Sequence, residues 1–330
     1  MKTCLLSTLP LNKLQGKNIL ITGASGLIGG ALVDILLSHP TKSVVYALVH
    51  NIAKAQQRFA AHLNKPDFHI VEGDVNVPLN GDIPFHYIIH AASNASPNAY
   101  ALDPVGTMWT NINGTRNLLE YGRLHSLERF LYVSSGEVYG NGDNAVWKES
   151  DSGYIDTMSV RSCYPSSKRA AETLCAAYSE QYGIEAVVAR PCHTYGPHFT
   201  DNDNRAYAQF ARKARQHEDI VLKSKGEQYR SWIYVADCAA AILKILLSGE
   251  NQQAYNIANV HSNITIRELA EQIAAIAGTK VVFDLPDDTE QKGYSQIKRA
   301  IFDTSKIEAL GWQPQYTLEE GLRNTIEDRL

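Results

Sequence analysis

Residues 18 to 30 read NILITGASGLIGG, and few folds accommodate such a run. Asn18 to Thr22 is short, apolar and β-branched, the mark of a strand buried on both faces. Gly23, Gly26 and Gly29 follow at fixed spacing, and from Leu27 to Leu37 the apolar residues recur with helical period. Strand, glycine turn and helix in that order make a phosphate cradle. The first glycine allows the tight turn, the second a close approach of backbone to a pyrophosphate, and the third close packing of helix on strand. The helix N-terminus then offers free N–H groups to the anion. The alternative, a purely structural turn, does not account for the flanking strand and helix.

Strands and helices go on alternating, which predicts an α/β fold: a doubly wound parallel sheet of the Rossmann type with a smaller mixed α/β lobe after it. Predicted strands run over Val44–Val49, Phe68–Glu72, Tyr87–Ala92, Arg129–Ser135 and Glu185–Arg190, with helices over Pro104–Tyr121 and from residue 161 to Tyr182. After Pro191, Gly196 and Pro197 the elements become mixed. Helices are expected at Asn204–Gln216, Ala236–Leu247, Ile264–Ala277 (capped by Thr265 or Asn263, stopped by Gly278) and Leu318–Asp328, with strands at Ile220–Lys223, Arg230–Val235 and Ala254–Ala258. The cofactor lobe is then residues 1–190 with about 230–258, and the substrate lobe 191–229 with 259–330.

With 330 residues the chain can form two lobes and a cleft between them, the default ligand site. A net charge of −4 leaves no basic footprint for nucleic acid. No apolar run reaches the ~20 residues of a membrane span, and Pro10 and Lys13 interrupt the N-terminal leucines, so no signal peptide is expected. Five scattered cysteines without a CxxC fit a reduced, cytoplasmic setting and show no zinc site.

Candidate site residues gather at predicted strand ends. The second strand ends in His50 and Asn51, not in the acid that commonly holds an adenosine ribose. His50, Lys54 or Arg58 could face a ribose 2′-phosphate, or be solvated surface. Asp74 could meet an adenine or simply form a turn. Ala91, Ala92 and Ser93 would let a cofactor lie against the backbone. Asn111, inside a helix facing the sheet, is either a water anchor or solvated. Ser134, Ser135 and Glu137 follow the fifth strand. Tyr164 and Lys168 are four apart and share a helix face; a neighbouring ammonium would lower the phenol's pKa, and Ser135 could complete a proton-transfer site. With 17 tyrosines, roughly one Tyr-x-x-x-Lys arises by chance, and Tyr294 with Lys298 is a second, read as surface. Arg230 could clamp a diphosphate or pair with Asp237.

Together Gly23-x-x-Gly26-x-x-Gly29, Ser135 and Tyr164-x-x-x-Lys168 resemble an extended short-chain dehydrogenase/reductase of the nucleotide-sugar epimerase and dehydratase type. The resemblance extends through HAAS (90–93), NINGT (111–115), HTYGP (193–197), RSWIYVAD (230–237), YNIAN (255–259) and DTSKIEALGW (303–312). Residues 93–111, SSGEVYG (134–140) and RSCYPSSKRAAETLC (161–175) look most like UDP-glucuronate decarboxylase. The resemblance implies NAD, with NADP left open, along Gly23, Ser25, Gly26, Leu27, Ile28, Gly29, His50, Asn51, Asp74, Val75, Ala91, Ala92, Ser93, Asn111, Tyr164, Lys168, Pro191 and His193. It implies a nucleotide sugar at Ser93, Ser135, Gly136, Glu137, His193 and Arg230, and no metal. It implies transient oxidation at sugar carbon 4, with Tyr164 as base, Lys168 and Ser135 assisting it, and Glu137 acting beside carbon 5. Epimerisation, 4,6-dehydration and a non-catalytic NAD(P)-binding regulator are the alternatives. Three positions depart from the pattern. Gly136 stands where decarboxylases usually have Ser and dTDP-glucose dehydratases Asp, His193 replaces a common Asn, and His50 replaces the ribose acid. Relatives often dimerise through helices like those around Pro104–Leu124 and Tyr164–Tyr182, which implies a homodimer.

Overall fold

The computed structural model describes residue 2 and residues 4–39, 41–200, 203–284 and 298–330. Seven strands form one parallel sheet in the spatial order Ala254–Ile257, Ala186–Pro191, Arg129–Val133, Tyr87–His90, Asn18–Thr22, Val44–Val49, Phe68–Glu72. Strand order reverses between Asn18–Thr22 and Tyr87–His90. In such sheets the ligand crevice opens at that reversal, beyond the carboxyl ends of the strands. The glycine turn after Thr22 and the Ala91-Ala92 segment after His90 therefore flank the crevice.

The central strands are buried on both faces, as their apolar runs require: Ile19, Leu20, Ile21, Ile88 and Ile89 are fully inaccessible. Helix Val235–Ser248 is the extreme case. It is apolar nearly all round and buried along almost its whole length, the pattern of a helix enclosed by other elements. It packs on helix Leu27–Ser38.

A second sheet is built on Tyr229–Tyr234, which pairs antiparallel with Asn259–Thr265 and parallel with both His193–Tyr195 and Arg299–Ala300. Ile220–Leu222 and Val281–Phe283 pair separately. The strand Tyr229–Tyr234 thus belongs to the second sheet, and residues 230–258 return to the first sheet only through helix Val235–Ser248 and strand Ala254–Ile257. His193–Tyr195 was expected to be broken chain because of Pro191, Gly196 and Pro197; pairing with Trp232–Tyr234 makes it a strand. Thr265 caps helix Ile266–Ala277 in a reciprocal box with Glu268, and Gly278 ends that helix in the left-handed conformation.

Two predicted strands stop short. Tyr87–His90 ends before Ala91, and Arg129–Val133 ends before Ser134 because Ser135 caps a 3-10 turn over Gly136–Tyr139. Tyr294 lies outside the described residues.

Candidate active site

The glycine turn sets the floor. Gly23 has φ +63°, and a Cβ there would meet the Ala92 backbone at 2.7 Å. A Cβ on Gly29 would meet the Gly23 carbonyl at 2.3 Å. Strand, turn and helix are therefore as close as hydrogen-only side chains allow. Helix Leu27–Ser38 begins at Gly26, which carries no side-chain cap. Its first N–H groups are thus left for an outside acceptor. Both observations fit the pyrophosphate of a dinucleotide, and the residues of this turn would hold it.

Around this floor the expected residues divide. Asn51 caps helix Ile52–Arg58 by accepting from the Lys54 amide, and His50 beside it is exposed. Arg58 is not available for a 2′-phosphate. Its guanidinium pairs with Asp34 on the glycine-turn helix and packs by Gly30. Asp74 forms an Asx turn, accepting from the Asn76 amide at 2.8 Å. Asn111 is not solvated. It is fully buried, accepts from Ser93 Oγ at 2.8 Å and donates to Ser167 Oγ at 2.9 Å. It thereby ties the Ala91–Ser93 segment to the helix that carries Tyr164.

That helix, Cys163–Tyr182, brings the chemistry to the strand ends. Tyr164 is 5 % exposed and shares a hydrogen bond with the Ser135 side chain. Tyr100 stacks on it at 4.6 Å between ring centroids. The Lys168 ammonium donates to the Val133 carbonyl at 2.8 Å and lies 5.6 Å from the Tyr164 ring centroid.

The protonation states differ from the expected depression of the phenol. Burial pushes Tyr164 up to about 12, with Glu137 adding to the rise, while Ser135, Arg205 and Arg161 pull the other way. Burial pushes Lys168 down to about 7 against the pull of Glu172. In the protein alone, desolvation outweighs the neighbouring charges at both groups.

Glu137 projects from the loop after Ser135, and Arg161 donates one nitrogen to both of its oxygens, at 3.0 and 2.8 Å. The same guanidinium sits 4.7 Å over the Tyr100 ring. Ser134, in contrast, is committed to Glu172. Arg230 is 5 % exposed; burial lowers its pKa to about 10, opposed by the charge of Glu137. Asp237 is not its counterpart, because its carboxylate accepts the Gln315 and Tyr316 amides at 2.8 and 3.0 Å. His193 is accessible yet walled by protein. Desolvation first, then Arg230 and Arg205, lowers its pKa to about 3, so it is a neutral polar group on the cleft wall.

Sequence reasoning passed over Tyr100, Arg161 and Arg205. Arg205 is locked to Asp203 at 2.6 Å and to the Tyr207 hydroxyl at 3.0 Å, and its field reaches Tyr164, Tyr100 and His193. The alternation Asp203-x-Arg205-x-Tyr207 is the trace such a cluster leaves in a sequence. Among the described residues no His, Cys, Asp and Glu cluster could hold a metal, and no helix is long and apolar enough to cross a membrane.

Comparison with known proteins points to one family. Residues 19–258 match the model of the NAD dependent epimerase/dehydratase family. UDP-glucuronic acid decarboxylase 6 of Arabidopsis thaliana is 35 % identical over 315 residues, covering 94 % of this chain and 88 % of that protein. UDP-glucuronic acid decarboxylase 1 of Xenopus tropicalis is 33 % identical over 319 residues, 96 % of this chain and 73 % of the relative. Among solved structures, dTDP-glucose 4,6-dehydratase DesIV of Streptomyces venezuelae, with NAD and TYD bound, superposes with a TM-score of 0.80 at 25 % identity, covering 94 % and 96 % of the two chains. UDP-glucose 4-epimerase of Thermotoga maritima has the same fold, with a TM-score of 0.81 at 24 % identity over 94 % and 98 %.

Proposed function

This chain belongs to the NAD dependent epimerase/dehydratase family and is an NAD-dependent enzyme of nucleotide-sugar modification, and we propose that its reaction is decarboxylation of UDP-glucuronate. The observation that carries the reading is the joining of Ser135, Tyr164 and Lys168 with an Arg161-held carboxylate, Glu137, from the same strand-end loop.

Bound NAD supplies the acceptor, and later the donor, of a hydride at sugar carbon 4. Tyr164 takes the carbon-4 hydroxyl proton and returns it at the end. Ser135 bonds the same hydroxyl and fixes its direction, and Lys168 supplies positive charge beside the phenol. A ketone at carbon 4 lies β to the uronate carboxylate, so carbon dioxide departs with its bonding electrons left on the ring. Glu137, beside carbon 5, manages the proton there. Arg230, His193 and Arg205 line the side where the nucleotide diphosphate and sugar acid lie. The residues that would hold the cofactor are Gly23 to Gly29, Ala91 to Ser93 and, at the ends of the second and third strands, His50, Asn51, Asp74 and Val75. Pro191 ends the strand Ala186–Pro191, on the opposite side of the strand reversal.

We further propose a homodimer in the cytoplasm. Val105, Met108 and Trp109 make an exposed apolar stripe at helical spacing, with Met158 and Val160 also exposed and apolar. The four described cysteines with free thiols suit a reducing compartment.

The test offers the purified protein UDP-glucuronate, UDP-glucose, dTDP-glucose and GDP-mannose and reads products by mass spectrometry. Loss of carbon dioxide from UDP-glucuronate alone is the expected result. Loss of water, or an unchanged mass with a new sugar configuration, would replace the proposal with dehydration or epimerisation. Turnover of none of the four, with NAD bound, would leave a regulator.

A further inference from the structure

Lys168 is 2 % exposed, and among the described residues its ammonium donates one hydrogen bond, to the Val133 carbonyl at 2.8 Å. The nearest carboxylate on its own helix, Glu172, is already spent. Arg190 holds both of its oxygens, at 3.0 and 2.6 Å, and Ser134 donates to it as well. Beyond the Val133 carbonyl, the Lys168 charge faces aromatic rings. Nζ lies 4.7 Å from the centroid of Tyr132, nearer than the 5.6 Å to Tyr164. Tyr132 is fully buried in the strand Arg129–Val133, so its ring cannot turn away.

We propose that the Tyr132 ring is a π platform that keeps the Lys168 ammonium charged and in place, making Tyr132 a positioning residue for the reaction. An aromatic face attracts a cation most strongly where water is absent. The groups facing Lys168 are few. From its own helix come Tyr164 and Glu172, and from the strand Arg129–Val133 come Tyr132 and the Val133 carbonyl. From the strand Tyr87–His90 comes His90, whose ring lies 5.6 Å from that of Tyr132 and which burial lowers to about 3. His90 is thus neutral at working pH. Burial already lowers Lys168 to about 7, so a modest change in the platform decides how much of it is charged at neutral pH.

The inference rests on the role proposed for Lys168 beside Tyr164, but its first readout does not. Nuclear magnetic resonance of labelled lysine Cε in the ligand-free protein titrates Lys168 directly. Tyr132→Phe keeps the ring and should leave that titration in place. Tyr132→Leu, and pentafluorophenylalanine at 132, which keeps the shape but reverses the ring's charge distribution, should each move it down by about one pH unit. In the holoenzyme the alkaline limb of kcat/KM should move with it, while the acid limb stays. Unmoved titration in a folded pentafluorophenylalanine protein would overturn the proposal, as would a Phe variant that shifts as far as Leu. A Lys168 shift without any change in turnover would keep the platform and instead reject the proposed part of Lys168 in catalysis.

Discussion

Gly136 offers the sharpest test of how the loop after Ser135 is built. A Cβ at this position would lie 2.4 Å from Phe302 Cζ and 2.8 Å from Cε1. Its backbone φ is not in the left-handed region, so the glycine answers to space and not to conformation. Phe302 cannot yield freely. It is 4 % exposed, leans on Tyr139 at 5.6 Å, and its amide donates to Ser231 Oγ at 3.3 Å. Gly136→Ser therefore overpacks a closed core and should cost about 1–3 kcal/mol of stability. The strand Arg299–Ala300 just before Phe302 pairs with Tyr229 and Arg230, so the strain is passed toward the site and kcat should fall as well. Phe302→Leu makes room. If the contact is the cause, Gly136→Ser with Phe302→Leu should be at least about 1 kcal/mol more stable than the sum of the single variants implies. Urea unfolding of the four proteins measures this. Additive losses would show that Phe302 is not what excludes a side chain at 136.

Two other outcomes follow from the site. Tyr164→Phe should abolish turnover while NAD affinity, measured by calorimetry, changes little, because the ring and its stack on Tyr100 remain; activity above a few per cent would reject Tyr164 as the base. Asp237 is fully buried, and burial raises its pKa from 3.8 to about 6 despite two backbone donors. A carboxyl raised in the fold gives stability that is complete below its unfolded pKa and is lost as pH rises through the folded value. Against Asp237→Asn, which does not titrate, the protein should lose about 2–3 kcal/mol between pH 4 and pH 8. A pH-independent difference in denaturation between the two would refute the reasoning.

Much of this was legible in the sequence because it is local. Spacing alone places Gly23, Gly26 and Gly29 at a strand-to-helix turn, and Tyr164 and Lys168 on one face of a helix. Ser135 was legible as a strand-end residue because the apolar run from Phe130 to Val133 stops beside it. What was not legible depends on pairing across the chain. Arg58 and Asp34 are 24 residues apart and find each other only after two helices pack. Arg161 looks like any charged residue before a helix until Glu137 and Tyr100 arrive on either side of it. The strand His193–Tyr195 is hidden by Pro191 and Pro197, since no local preference predicts an edge that Trp232–Tyr234 supplies. Gly136 read as an anomaly, and only Phe302, 166 positions on, gives it a physical reason.

The same long-range contacts oppose the rise that burial imposes on the phenol of Tyr164, the base in the proposed reaction. Burial at this site protects the reaction from water, and it also drives Tyr164 and Lys168 toward their neutral forms. Glu137 raises the phenol further, and the proposed reaction needs that same acid beside carbon 5. The chain answers with groups from separate elements. Ser135 bonds the phenol from the strand end. Arg161 neutralises Glu137 from the start of the helix. Arg205 adds its field from the second lobe, where Asp203 and Tyr207 hold it still. All three lower the phenol's pKa. Removing Arg161 should then harm the first proton transfer as well as the step at Glu137, because one guanidinium serves both the acid it holds and the base that acid opposes.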